Sequence, residues 1–359
     1  MATLTEDGLS LHIGIDVGGT TSTVAIGNAA REVLDVSPQF ATRVADGPAA
    51  TIDAIVAAID VGLARVGAGA QQLADVGLST PGPATLDGVL LNSPNLDPAL
   101  WNNFPFRASL EEGIRKSAPG ASVHYIGDGQ AAALGEYAIR SGSVTWDRVD
   151  ISELGSTSIN SLFMVIVGTG LGGGEVHERR PVRGAEGRAG HAGHIFLPED
   201  AFRYEHDRQL VVGNAKSTLE SAVSLTGLGD RVGWRLQLDA WRDHPLNQTA
   251  GSVRDKAKQL RELAAAGDAL ALQLFEDQAR ALGIGLLAVN YLGDYDLLVI
   301  GGGVCDLAPN VREQYRKTAE QAYRQHALDG FRNLERMEFS ICGDDAPVIG
   351  ALAHACSQG

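Results

Sequence analysis

The stretch Ile13-Gly14-Ile15-Asp16-Val17-Gly18-Gly19-Thr20-Thr21-Ser22-Thr23 limits the folds open to this chain more than any other. The apolar run Leu11 to Ile15 reads as a buried strand with an aspartate at its exit. Two glycines turn the chain, and a Ser/Thr-rich second strand, Ser22 to Ile26, returns. A turn of this kind lets backbone N–H groups approach phosphate oxygens, because glycine has no Cβ in the way. Asp16 stands where a Mg²⁺ ion bound to those phosphates needs a carboxylate or its water shell. The competing reading is an ordinary glycine hairpin beside a surface aspartate. The pattern returns where the apolar strand Leu162 to Val167 runs into Gly168-Thr169-Gly170-Leu171-Gly172-Gly173-Gly174. A repeated strand–turn–strand unit suggests two similar halves facing one cleft.

Between and beyond these units, helical and strand periodicities alternate. Pro48 opens a helix with Ile52, Ile55, Val56, Ile59 and Leu63 on one face. Ala74 to Leu78 is a strand ending in the rigid loop Ser79-Thr80-Pro81-Gly82-Pro83, and Val123 to Ile126 is a strand ending at Gly127-Asp128. Thr218 to Asp294 is mostly helical, with Ala269 to Tyr291 its longest segment. Asp296 to Ile300 is a short buried strand before Gly301-Gly302-Gly303. A small-residue helix, Pro347 to Cys356, closes the chain and is free to cross back to the first half.

Composition narrows the function classes. With 359 residues, 44% of them hydrophobic, the chain can build two cores. No run reaches the ~18 apolar residues of a membrane span, and the acidic, polar Met1 to Ser10 does not read as a secretion signal. Cys305, Cys342 and Cys356 are scattered, which points to a reduced, cytoplasmic setting. A net charge of −15 argues against nucleic-acid and anionic-membrane partners. It leaves open anionic nucleotides held by backbone dipoles and Mg²⁺.

With these pieces in order, the sequence resembles the ROK family of sugar kinases and sugar-responsive regulators, part of the actin-like ATPase superfamily. The resemblance runs from Ile13 to Ala353. It is carried by Asp16-Val17-Gly18-Gly19-Thr20, by Gly77-Leu78-Ser79-Thr80-Pro81-Gly82-Pro83 with Pro94-Asn95-Leu96, and by Gly127-Asp128-Gly129-Gln130 through Glu136. The Gly168 to Gly174 turn and Ile300-Gly301-Gly302-Gly303-Val304 complete it.

The resemblance implies an α/β fold of two actin-like (ribonuclease H-like) domains with a cleft between them, residues 1–127 plus 346–359 and residues 128–345. It implies transfer of the γ-phosphoryl group of ATP, with Mg²⁺, to a hydroxyl of a hexose or hexose derivative. Phosphate contacts fall to Asp16, Gly18, Gly19, Thr20, Thr21, Gly168, Thr169, Gly170 and Gly172, and adenosine contacts to Gly301, Gly302 and Gly303. Asp16 would act on Mg²⁺ indirectly. The sugar falls to Gly82, Asn95, His191, His194 and Glu220, with Asp128 as general base. The competing role for Asp128 is a helix N-cap, and for Glu220 a solvated glutamate in a first helical turn. A homodimer would follow from the resemblance alone.

The chain also departs from the family pattern. Gly127 replaces the usual asparagine before the catalytic aspartate, and His191-Ala192-Gly193-His194 replaces Glu-x-Gly-His, which puts unmodified glucose in doubt. The stretch Val212 to Glu220 lacks the cysteines of the family's zinc site, so no zinc site is expected. His177, His191, His194 and His206 form no complete ligand set. Two other functions compete with the kinase. Regulators carry a helix-turn-helix before the first phosphate motif, where this sequence has 12 residues ahead of Ile13. A sugar- or nucleotide-binding protein with little catalysis is kept alive by Gly127 and His191. The donor, ATP or polyphosphate, is open.

Overall fold

The computed structural model describes residues 10–91, 96–151, 158–331 and 336–358. In chain order its first elements are β1 (Leu11–Val17), β2 (Thr21–Asn28), β3 (Val33–Val36), β4 (Phe40–Ala41), α1 (Pro48–Arg65), β5 (Leu73–Thr80), α2 (Pro98–Trp101), α3 (Phe106–Arg115), β6 (Ser122–Gly127) and α4 (Asp128–Arg140). Then come β7 (Ser161–Val167), β8 (Leu171–His177), β9 (Arg180–Pro181), β10 (Val211–Val212), β11 (Ala215–Lys216), α5 (Leu219–Val223), α6 (Leu225–Arg235), α7 (Val253–Ala265), α8 (Ala269–Gly293), β12 (Leu297–Gly302), α9 (Pro309–His326), β13 (Met337–Phe339) and α10 (Ala346–Cys356). Among the described residues no helix is long and apolar enough to cross a membrane.

The chain forms two compact units. One holds the residues up to Leu162, Gly174–Gly190 and the chain from Ile341 on; the other holds Phe163–Gly173 and His191–Ser340. The first unit therefore keeps α4 rather than ending at residue 127, and α10 explains why.

In the first unit the strand order is β3-β2-β1-β5-β6, with β4 paired to β2. β1, β5 and β6 are parallel, and β2 returns antiparallel along β1. Side chains alternate across the sheet. Ile13, Ile15, Val76 and Leu78 join a buried core with Ile55 and Ile59 of α1 and Phe106 and Leu110 of α3. The residues between them, Gly14 and Gly77, are cross-strand partners on the other face. There α10 lies against bare backbone: a Cβ on Gly77 would stand 1.8 Å from the Ala351 carbonyl oxygen. The same helix meets α4 as closely, since a Cβ on Gly350 would stand 1.7 Å from the Ala131 carbonyl oxygen. The last helix is thus wedged between the first sheet and α4 at distances only glycine permits.

The second sheet has the order β13-β12-β7-β8-β9. In the second unit Val165, Val167, Leu298 and Ile300 share a core with α5, α6, α8 and α9. The long α8 starts on the Asp268 side chain, which accepts from the Ala271 N–H, and stops at Asp294, whose φ of 48° is left-handed. Beside it sits a buried ion network. Arg235 of α6 donates two bonds to Asp207 (3.0 and 2.7 Å) and a third to Asp277 of α8 (3.2 Å). Arg203 bonds the other oxygen of Asp277. The Arg235 guanidinium lies 4.0 Å from the Tyr204 ring centre.

Candidate active site

The first glycine turn is built by its own backbone. The Gly18 N–H donates to the Thr21 carbonyl (2.8 Å), closing the link from β1 to β2. That leaves the Gly19 and Thr20 N–H groups without a backbone partner among the described residues. Thr42, fully buried, braces the turn from outside: its Oγ donates to the Gly18 carbonyl (2.8 Å) and its N–H to the Thr20 carbonyl (3.0 Å). It also pairs with Ser22 Oγ at 2.9 Å.

Asp16, one residue before the end of β1, stands opposite Ser79 of β5, so their side chains share a face, and Ser79 Oγ donates to Asp16 Oδ1 at 2.7 Å. Burial pushes the Asp16 carboxyl up to about 7; the Ser79 hydrogen bond opposes this and the charge of Asp128 adds to it. Asp128 is exposed one step beyond β6. It is the first residue of α4, not its N-cap; that position belongs to Gly127. Its Oδ1 accepts from the Gly129 N–H at 2.7 Å. Asp16 and Asp128 thus stand at the carboxyl ends of parallel strands, where open α/β sheets bind ligands. Below them Tyr125 pairs with Thr80 (3.2 Å), and burial raises its phenol to about 12. Gly82 lies in the loop after β5, where a Cβ would meet nothing within 4 Å. Asn95 lies outside the described residues.

In the second unit, Gly168 N–H donates to the Gly170 carbonyl at 3.0 Å. The turn is fastened to the start of α6, where Leu225 N–H reaches the Gly168 carbonyl (2.9 Å) and Thr226 Oγ the Thr169 carbonyl (2.9 Å). Arg254 of α7 donates to Thr169 Oγ at 3.2 Å. Glu220, in the first turn of α5, is not a solvated helix-start glutamate. Its Oε2 accepts the Leu171 N–H at 2.7 Å and lies 2.8 Å from where a Gly170 Cβ would be. It also borders Gly193 of the histidine segment, where a Cβ would sit 3.4 Å from the same oxygen. His191 and His194 are exposed on a single 3₁₀ turn, with ring centres 6.3 Å apart. Gly172 is exposed on β8, and nothing lies within 4 Å of where its Cβ would be. Gly301 and Gly302 end β12 and Gly303 follows it, and Gly302 (φ +79°) presses against the Val167 carbonyl at the end of β7. Among the described residues no group of three or more His, Cys, Asp or Glu is placed to hold a metal ion.

Three contributors are invisible to sequence reasoning. Thr42 belongs to no motif and reaches the first turn from 24 residues away. Arg254 and Arg261 stand seven residues apart, two turns of one face of α7. Arg254 meets Thr169, and Arg261 lies 2.6 Å from where a Gly303 Cβ would be while pairing with Asp306 (2.8 Å). Their spacing was readable; what that face meets was not.

The ROK family profile matches residues 12–357 of this chain. The chain belongs to the ROK family. Among ROK-family relatives, the glucokinase of Halalkalibacterium halodurans is 28% identical over 346 residues, covering 94% of this chain and 93% of its own length. The crystal structure of a ROK hexokinase from Thermus thermophilus superposes with a TM-score of 0.71 at 26% identity, covering 97% of this chain and 98% of the other. A ROK glucokinase from Streptomyces griseus, crystallised with glucose and AMPPNP, gives 0.70 at 26% identity, covering 98% and 100%. The mixed α/β fold with two sheets is thus the actin-like ATPase fold of ROK sugar kinases.

Proposed function

We propose that this ROK chain is a carbohydrate kinase that transfers the γ-phosphoryl group of ATP to a hydroxyl of a hexose or hexose derivative, with Asp128 as general base. One observation carries the reading. An exposed carboxylate, Asp128, and a half-buried one, Asp16, stand at the carboxyl ends of the parallel strands β6 and β1, which flank β5, close enough for the charge of one to raise the pKa of the other. Phosphoryl transfer asks little covalent chemistry of a protein; it asks for positioning and charge neutralisation.

The Gly19 and Thr20 N–H groups are the donors the first turn has to offer phosphate oxygens. Asp16 fits a cation: one oxygen is held by Ser79, and a carboxyl pushed to about 7 gains from a positive neighbour. Mg²⁺, when bound there through its water shell, would neutralise phosphate charge. Asp128, fixed by the Gly129 N–H, would accept the sugar hydroxyl proton as the transition state develops. Glu220, with Oε2 committed to Leu171, has one remaining oxygen to offer a sugar hydroxyl. His191 offers an imidazole in place of a carboxylate, and Gly127 offers no side chain, so the preferred acceptor is a hexose other than unmodified glucose or a derivative. Gly301–Gly303 and Arg261 would border the adenosine side.

A coupled ADP-release assay over hexoses, hexosamines and N-acetylhexosamines tests this, with Asp128→Asn alongside. Turnover with one of these sugars, falling ~10²–10⁴-fold in the variant with AMPPNP affinity kept, is the expected result. No turnover with any sugar favours a ROK regulator or binding protein; equal turnover in the variant removes Asp128 from the chemistry.

A further inference from the structure

A second cavity lies in the first unit, on the α10 and α4 side, and no catalytic residue lines it. Its volume is about 470 Å³, within the range of small-molecule sites. It is walled by Leu134, Tyr137 and Ala138 of α4 and by Ala353 and His354 of α10. Its polar lining includes Arg31, Arg179, Arg180, His354, Ser143, Ser357 and Gln358. In a chain of net charge −15, a cavity lined by three arginines and no Asp or Glu is unexpected.

Two of these arginines occupy backbone positions that favour glycine. Arg179 follows Glu178 in the two-residue link between β8 and β9; with φ of 68° and 48° the pair shows the signature of a type I′ turn, usually Asn-Gly. Arg31 has φ of 63° in the turn before β3. A turn serving only the fold would place glycine or asparagine at such positions. Here left-handed backbone carries Arg31 and Arg179, both exposed and both lining the cavity. Arg31 reaches the Cys356 carbonyl at the end of α10 (3.3 Å). Arg179 and Arg180 have no carboxylate partner among the described residues.

We propose that this cavity binds a small phosphate monoester bearing hydroxyl groups. Planar guanidinium groups match phosphate oxygens in pairs. The serines complement the remainder of such a ligand: Ser143 Oγ donates to the Ala138 carbonyl and accepts from Ser141 Oγ, and Ser357 Oγ donates to the His354 carbonyl (2.7 Å) and accepts from Gln358 Nε2, which leaves one lone pair on each to accept from a ligand hydroxyl. His354 is held neutral at the cavity wall: burial, then Arg183 and His124, bring it down to about 4. The cavity therefore offers directional hydrogen bonds beside its three fixed charges.

Calorimetric titration of the full chain, saturated with AMPPNP to occupy the kinase site, tests this with inorganic phosphate and a hexose 6-phosphate as probes. Saturable binding of the ester, stronger than that of phosphate, is expected. Arg179→Gly should raise the thermal midpoint, because it relieves the turn, and yet weaken ester binding at least tenfold. Arg180→Gln should weaken it equally, while Asp16→Asn should leave it unchanged. A merely structural turn would show the stability gain without the binding loss. No saturable binding, binding unmoved by both arginine variants, or binding lost with Asp16→Asn each overturns the proposal.

Discussion

The sharpest consequence of the geometry is the ionisation of Asp16. Burial holds its carboxyl near 7 instead of 3.8. In that window the folded chain carries a proton that the unfolded chain has lost, so stability falls as pH rises from about 4 and the loss is complete above about 7. At ~1.4 kcal/mol per pH unit the gap amounts to roughly 4 kcal/mol, an upper bound for a half-buried group near the carboxyl end of a central strand. Asp16→Asn keeps an oxygen to accept from Ser79 Oγ and removes the charge. The variant should come within about 1 kcal/mol of the parent in urea stability at pH 4.5 and exceed it by up to about 4 kcal/mol at pH 8. The parent should release close to one proton on binding Mg·AMPPNP at pH 6.5, and the variant none. A variant no more stable than the parent at pH 8, or a difference independent of pH, would refute the assignment of a desolvated carboxylate at this strand end.

Other consequences are as concrete. Gly350→Ala, forcing a Cβ against the Ala131 carbonyl, should cost about 3 kcal/mol or more in urea unfolding of the full chain, the high end for overpacking; a near-neutral change would show that α10 docks more loosely than described. Arg235→Met leaves Asp207 buried without its partner and should cost roughly 3–5 kcal/mol, while adding Asp207→Leu should recover most of it. A double variant as unstable as the single one would contradict the ion-pair account. Thr42→Val removes the brace on Gly18 and Ser22 and should raise KM for ATP roughly tenfold with a smaller change in kcat, the sign of a misplaced binding turn; steady-state kinetics at saturating sugar decide it.

Much of this was open to a reader of the sequence. Both glycine turns, the strand ending at Asp128 and the long helix from Ala269 are written in local patterns, because alternating apolar residues and glycine pairs constrain φ and ψ over a few residues. What local pattern cannot encode is which distant segment arrives next to which. Gly14, Gly77 and Gly350 are unremarkable one by one, yet across some 270 residues they admit one helix to backbone contact, and that helix joins α4 to the first unit. Glu220 could be placed on a helix start from sequence, but its hold on the Leu171 N–H needed β8 and α5 side by side. Thr42 and the arginines of the second cavity carry no motif at all, since their roles depend on where the chain returns to itself. The sequence determined which chemistry the turns could serve; the tertiary structure decided which side chains stand beside them, because close packing and buried charge act through space, without regard to separation along the chain.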